Sequence, residues 1–186
     1  MKKRISLPLT KEAAAQLRAG DSVLLSGIIY TARDAAHKQL VALLDEQSEV
    51  PMPLENAAIY YVGPTPAAND MPLGSAGPTT SVRCDPYTPQ LLANGVTVMI
   101  GKGKRSQTVK DAIKTHSAVY LAAIGGAGAL LTRCIKSAEM IAFEDLGTEA
   151  IRKLYVEDFP AIVINDCHGG DYYESARIAY LTQNNI

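Results

Sequence analysis

Eight of the ten prolines in this chain of 186 residues fall within residues 51–89. Proline fixes φ and has no backbone N–H, so such a stretch can be neither a long helix nor an interior strand. Regular structure is thereby confined to the two flanks. The segment between them is expected to be loop and turn, apart from one strand over residues 57–62. Long ordered loops in a compact domain tend to carry function.

The flanks read as alternating elements. A short helix is expected over residues 11–17, ended by Gly20-Asp21, and then a buried strand over 22–30, apolar and partly β-branched. Thr31-Ala32-Arg33-Asp34 has the form of a capping box, opening a helix to about Leu44 with Leu40, Val41 and Leu44 inward. Beyond the prolines, strands are expected over 96–100 and 118–124. A second capping pattern, Thr108-Val109-Lys110-Asp111, opens a helix between them that ends near His116. Gly125-Gly126 leads into a helix to about Ile135, and short strands follow over 139–143, 151–156 and 161–165. Alternation in the middle with strand-rich flanks predicts a mixed α/β domain of layered sheet and helices, rather than a regular doubly wound one. With 47% hydrophobic residues, the length suits one domain over residues 1–186.

Eighteen basic residues against nineteen acidic ones leave a net charge of −1, without the basic excess of a nucleic-acid or membrane-surface binder. No stretch approaches the roughly 20 apolar residues of a membrane-spanning helix. The basic N-terminus lacks the apolar core of a signal peptide. Cys84, Cys134 and Cys167 are scattered, with no CxxC pair, which fits a reducing compartment, so a cytoplasmic location is expected. His37, His116 and His168 lack zinc-binding spacing, and Cys134 is expected on an apolar helix face.

Three segments set cations beside backbone amides, where an anion can be held. In Tyr30-Thr31-Ala32-Arg33-Asp34-Ala35-Ala36-His37, Arg33 falls at the first turn of an expected helix, whose free N–H groups and dipole favour an anion. Taken alone, Arg33 reads first as a surface residue in a solvated first turn, paired with Asp34. Gly77-Pro78-Thr79-Thr80-Ser81-Val82-Arg83 offers hydroxyls and an arginine able to grip a carboxylate through two hydrogen bonds, or is an ordinary turn. Gly101-Lys102-Gly103-Lys104-Arg105-Ser106 is not a phosphate loop: Arg105 stands where the Walker form needs Ser or Thr, and Ser106 where the dinucleotide form needs glycine.

Further stretches join these three in order: Gly20 to Gly27 before the first, then Gly125-Gly126, Asp145-Leu146-Gly147-Thr148-Glu149-Ala150 and Val156-Glu157-Asp158-Phe159-Pro160. As a set they resemble the C-terminal domain of class I iron–sulfur fumarate hydratases and the β subunit of L-tartrate dehydratases. The resemblance implies a swivelling β/β/α layered domain that closes over a separate α subunit. That subunit would hold a [4Fe–4S] cluster by three cysteines, with one iron open to act as Lewis acid on the departing hydroxyl, and this chain would bind no cofactor. It further implies a small dicarboxylate substrate, a higher-order α/β oligomer, and reversible hydration of fumarate to malate. The alternatives are dehydration of L-tartrate and a non-catalytic dicarboxylate-binding or regulatory module.

By the same resemblance Arg33, Arg83 and Lys102 bind the dicarboxylate and Thr79 transfers the proton at carbon. Removing a proton beside a carboxylate builds negative charge on that carboxylate, and fixed cations stabilise this charge more than the ground state. Cys84 stands where many relatives carry Met, a departure beside the site.

Overall fold

Side chains alternate between the two faces of a strand, and the computed structural model, which describes residues 2–67 and 71–184, sorts them into two cores. β1 (Lys3–Ser6), β2 (Ser22–Thr31), β3 (Ala58–Tyr60), β4 (Val98–Gly101) and β5 (Val119–Ala122) lie side by side, every neighbouring pair parallel. β7 (Ile151–Asn165) runs antiparallel to both β5 and β2, so β2, β3, β4, β5 and β7 close into a ring. β6 (Ile135–Ala142) pairs with residues 151–156 of β7.

The first core joins alternate residues of these five strands, among them Leu25, Tyr60, Ile100, Leu121 and Phe159, and Leu7, Leu9 and Leu17 pack with them. The opposite side chains, Ile59, Tyr61, Met99 and Tyr120, form the second core. There they meet Leu40 of α2 (Asp34–Asp45), Leu91 of α3 (Thr88–Ala93), and Val109 and Ile113 of α4 (Gln107–Thr115). Helices therefore cover one face of the parallel strands and β7 closes over the other. The chain is mixed α/β, with a sheet and flanking helices, as its pattern implied. Among its described residues no helix is long and apolar enough to cross a membrane.

Several local expectations need correction. Thr31 does not cap α2. It ends β2, buried, where its hydroxyl donates to the Ala150 carbonyl (3.1 Å) and accepts from the Arg152 N–H (2.9 Å). A hydroxyl held by β7 is not free to cap a helix, and Arg33 takes the cap position without a side-chain bond. Of the three inward residues expected on α2, Leu40 is buried, while Val41 and Leu44 are half-buried; Ala36 and His37 complete the buried face. Ser106, not Thr108, caps α4, by accepting the Val109 N–H. The strands expected over 151–156 and 161–165 are one, because β7 tolerates Pro160 opposite Leu24.

The helix after Gly125-Gly126 is the short α5 (Gly128–Thr132), so Cys134 lies beyond it, half-buried. A last helix, α6 (Tyr172–Gln183), and the edge strand β1 had no counterpart in the sequence reading; α1 (Lys11–Ala14) is shorter than expected.

Candidate active site

Parallel strands deliver the loops after their carboxyl ends to one edge of a sheet, the usual place for a ligand in such folds. Here β2 leads to Arg33, β3 to Gly63, β4 to Lys102 and β5 to Gly125. The proline-rich loop returns to the same edge and inserts Thr79–Ser81 where β3 and β4 separate. The Thr79 N–H donates to the Tyr61 carbonyl (2.8 Å) and the Ser81 N–H to the Lys102 carbonyl (3.0 Å), and Thr80 bridges to Lys102. All four predicted site residues thus sit at one edge: Arg33 from β2, Thr79 and Arg83 from the inserted segment, Lys102 from β4.

A chain of hydrogen bonds fixes the inserted segment. The Lys102 N–H donates to Ser81 Oγ (3.1 Å), Ser81 Oγ meets the Tyr120 hydroxyl (2.9 Å), and that hydroxyl donates to the Gly103 carbonyl (2.9 Å). Burial raises the Tyr120 phenol, so it stays a donor at neutral pH. Ser81 fits only because residue 101 is glycine: a Cβ there would stand 2.0 Å from Ser81 Oγ.

The four residues differ in environment. Thr79 is half-buried and its hydroxyl donates to the Tyr61 carbonyl (3.0 Å), which leaves its lone pairs available. Arg83, in the 3₁₀ turn Ser81–Cys84, and Lys102 are exposed, and neither has an ion pair among the described residues. Arg33 is paired: Nη2 stands 3.1 Å from Glu149 Oε1 and 3.8 Å from Asp34. The expected pairing with Asp34 is therefore the longer of its two contacts.

Behind this edge lies a buried ionic cluster that sequence reading missed. Arg105, with no exposed side-chain surface, donates from Nε to Asp85 (2.7 Å) and from Nη2 to Thr88 Oγ1 (2.8 Å), and stacks over the rings of Tyr61 and Tyr120. Burial alone would lower its pKa, but Tyr61, Asp85 and its hydrogen bonds raise it, so it stays charged. His37 is fully buried, and its Nδ1 lies 2.8 Å from the Arg33 carbonyl, which can only accept, so Nδ1 carries the proton. Burial pushes the imidazole down to about 4, against the opposing hydrogen bond to Arg33, and His37 is neutral at pH 7.

Cys84 is buried beneath the 3₁₀ turn, where burial pushes its thiol up to about 12, and Cys134 and Cys167 are raised as well. Among the described residues no three His, Cys, Asp or Glu side chains form a metal-binding group. A groove of about 450 Å³ is lined by Pro64–Ala67, Leu73, Met140, Glu144, Gly147, Thr148 and Arg152, and none of the four candidate residues lines it. Lys102 borders a second, apolar groove of about 360 Å³ under Tyr172 and Tyr173. The cations therefore stand on an open rim.

The fumarase C-terminus family model matches residues 1–176. The aerobic class I fumarate hydratase of Escherichia coli strain K12 is 40% identical over 178 residues, covering 93% of this chain and 32% of the relative. Fumarate hydratase 2 of Leishmania major is 38% identical over 165 residues, 88% of this chain and 29% of the relative. The chain thus spans about a third of the length of these relatives. A Methanocaldococcus jannaschii protein, provisionally named L(+)-tartrate dehydratase subunit beta, is 37% identical over 172 residues, 89% of this chain and 88% of its own length. These relatives carry hydro-lyase names, and the matches run through every segment that builds the cationic edge. By both the family model and the full-length likeness, this chain belongs to the fumarase C-terminus family.

Proposed function

We propose that the chain is the β part of an iron–sulfur hydro-lyase that interconverts fumarate and malate. Arg33, Arg83 and Lys102 hold the two carboxylates, and Thr79 serves proton transfer at carbon. The observation that carries this reading is two exposed cations, Arg83 and Lys102, with no counter-ion among the described residues, beside Arg33 and an oriented hydroxyl on one sheet edge. A dianion brought there gains most when charge grows on its carboxylate, which is the transition state of proton removal. The Tyr61 carbonyl, which accepts the Thr79 O–H, fixes the direction of that hydroxyl at the edge.

An open rim needs a second surface to exclude water. In this reading a separate cluster-bearing α subunit supplies it, this domain swivels onto it, and the two assemble in the cytoplasm as a higher-order oligomer. The [4Fe–4S] cluster belongs to that partner, because the thiols of this chain are buried or dispersed. The short span relative to the fumarate hydratases and the near-complete match to a β-subunit-type relative both support a partner. The latter also favours L-tartrate as a second substrate reading. Purification of the tagged chain from its source without oxygen tests both, with assays for iron, sulfide and hydration of fumarate against dehydration of tartrate. Fumarate turnover by a two-subunit iron protein is expected; an inert, iron-free chain overturns the reading.

A further inference from the structure

We infer that Glu149 is a positioning residue for Arg33, setting the guanidinium for a substrate carboxylate. This rests on the dicarboxylate reading of the cationic edge and adds to it a residue that touches no substrate.

The second 3₁₀ segment, Glu144–Glu149, ends beside the start of α2. There the Glu149 carboxylate divides its two oxygens. Oε2 accepts the Ala35 N–H (3.1 Å), one of the unpaired amides of the first helical turn, and Oε1 lies 3.1 Å from Arg33 Nη2. One carboxylate thus caps α2 in place of the uncapped Arg33 position and binds the side chain that begins there. From the other side the arginine crosses Gly63. A Cβ at that residue would stand 2.9 Å from Arg33 Nη1 and 3.1 Å from its Cδ, so any side chain there would push the guanidinium from this position. Arg33 is held between a glycine floor and a carboxylate, with Nε buried and without an acceptor. An arginine fixed in one orientation loses less freedom on gripping a planar carboxylate than one free in solvent. Among the described residues Arg83 and Lys102 have no such partner, whereas Arg33 is pre-set by Glu149.

Glu149→Gln discriminates, because glutamine cannot accept at both ends. With its oxygen on the Ala35 N–H, its NH₂ donors face the guanidinium and leave it unheld. In the enzyme purified with its accompanying subunit, kcat/KM for fumarate is expected to fall roughly ten- to hundredfold, mainly through KM, with an unchanged melting temperature. Arg33→Ala is expected to lose at least as much, and adding Glu149→Gln to Arg33→Ala is expected to change little further, as for two residues acting through one contact. An unchanged or lower KM in Glu149→Gln overturns the inference, as does a full additional loss in the Arg33→Ala background. Either outcome leaves the dicarboxylate reading standing if Arg33→Ala is itself inactive. Wild-type activity of Arg33→Ala overturns that reading and the inference with it.

Discussion

Asp85 and Arg105, twenty residues apart in sequence, meet at 2.7 Å in the buried layer directly behind the cationic edge. Asp85 also accepts the Ser106 N–H (2.6 Å), so one carboxylate ties the turn bearing Arg83 to the loop that follows Lys102. The two exposed cations are carried by loops joined through one buried ion pair.

Breaking that pair by Arg105→Met leaves Asp85 as a buried charge, and a loss of about 3–5 kcal/mol of folding stability is expected. Adding Asp85→Leu removes the orphaned charge and is expected to recover part of the loss. Urea denaturation of the three proteins checks both outcomes.

Gly101→Ala would set a methyl 2.0 Å from Ser81 Oγ and is expected to cost about 1–3 kcal/mol. Ser81→Ala alone unpairs the Lys102 N–H and takes one of its two partners from the Tyr120 hydroxyl, which keeps its bond to the Gly103 carbonyl. The double variant is expected to be more stable than the sum of the two losses, which a double-mutant cycle of melting curves reports.

Arg83 is exposed and its side chain makes no ion pair among the described residues. For Arg83→Ala, stability within about 0.5 kcal/mol of the parent is expected, together with a loss of about 10²–10³ in kcat/KM for the dicarboxylate. Thr79→Val keeps the shape and removes the hydroxyl. Its loss is expected in kcat, on the order of 10²–10⁴, with KM little changed. Steady-state kinetics of the oxygen-protected enzyme separates the two patterns.

His37 is held neutral with a pKa of about 4, against its ordinary 6.5, so below pH 6.5 the unfolded chain binds more protons than the folded one. Stability from this residue is complete above 6.5 and falls as pH drops towards 4, by at most roughly 3 kcal/mol. Asp34, which favours the charged imidazole, and Arg105, which opposes it, are its charged neighbours. In His37→Gln the decline over that window is expected to flatten, as read from chemical denaturation at stepped pH.

Much of the frame is legible in the sequence, because the apolar runs that became β2, β4 and β5 have the period and bounds of buried strands. The four candidate residues were visible only as motif members; that they share an edge follows from strand order, which local pattern does not encode. Arg105 and Glu149 were hidden for a related reason. A buried arginine and an exposed one look alike in a Lys- and Gly-rich run, and a helix capped from a residue more than a hundred positions away leaves no local signature. The false capping box at Thr31 is the same lesson reversed: a local motif lost its hydroxyl to a distant strand.

Closure of the ring also dictates a schedule for synthesis. β2 pairs along most of its length with β7, so residues 22–31 must wait for residues 151–165 before their second edge is filled. Until then a nascent chain carries β2 and β5 with unpaired backbone groups, open templates for a neighbouring polypeptide. Arrest of translation before residue 151 would therefore yield an adhesive fragment rather than a smaller folded one, and chaperone capture should be heaviest just before β7 clears the ribosome.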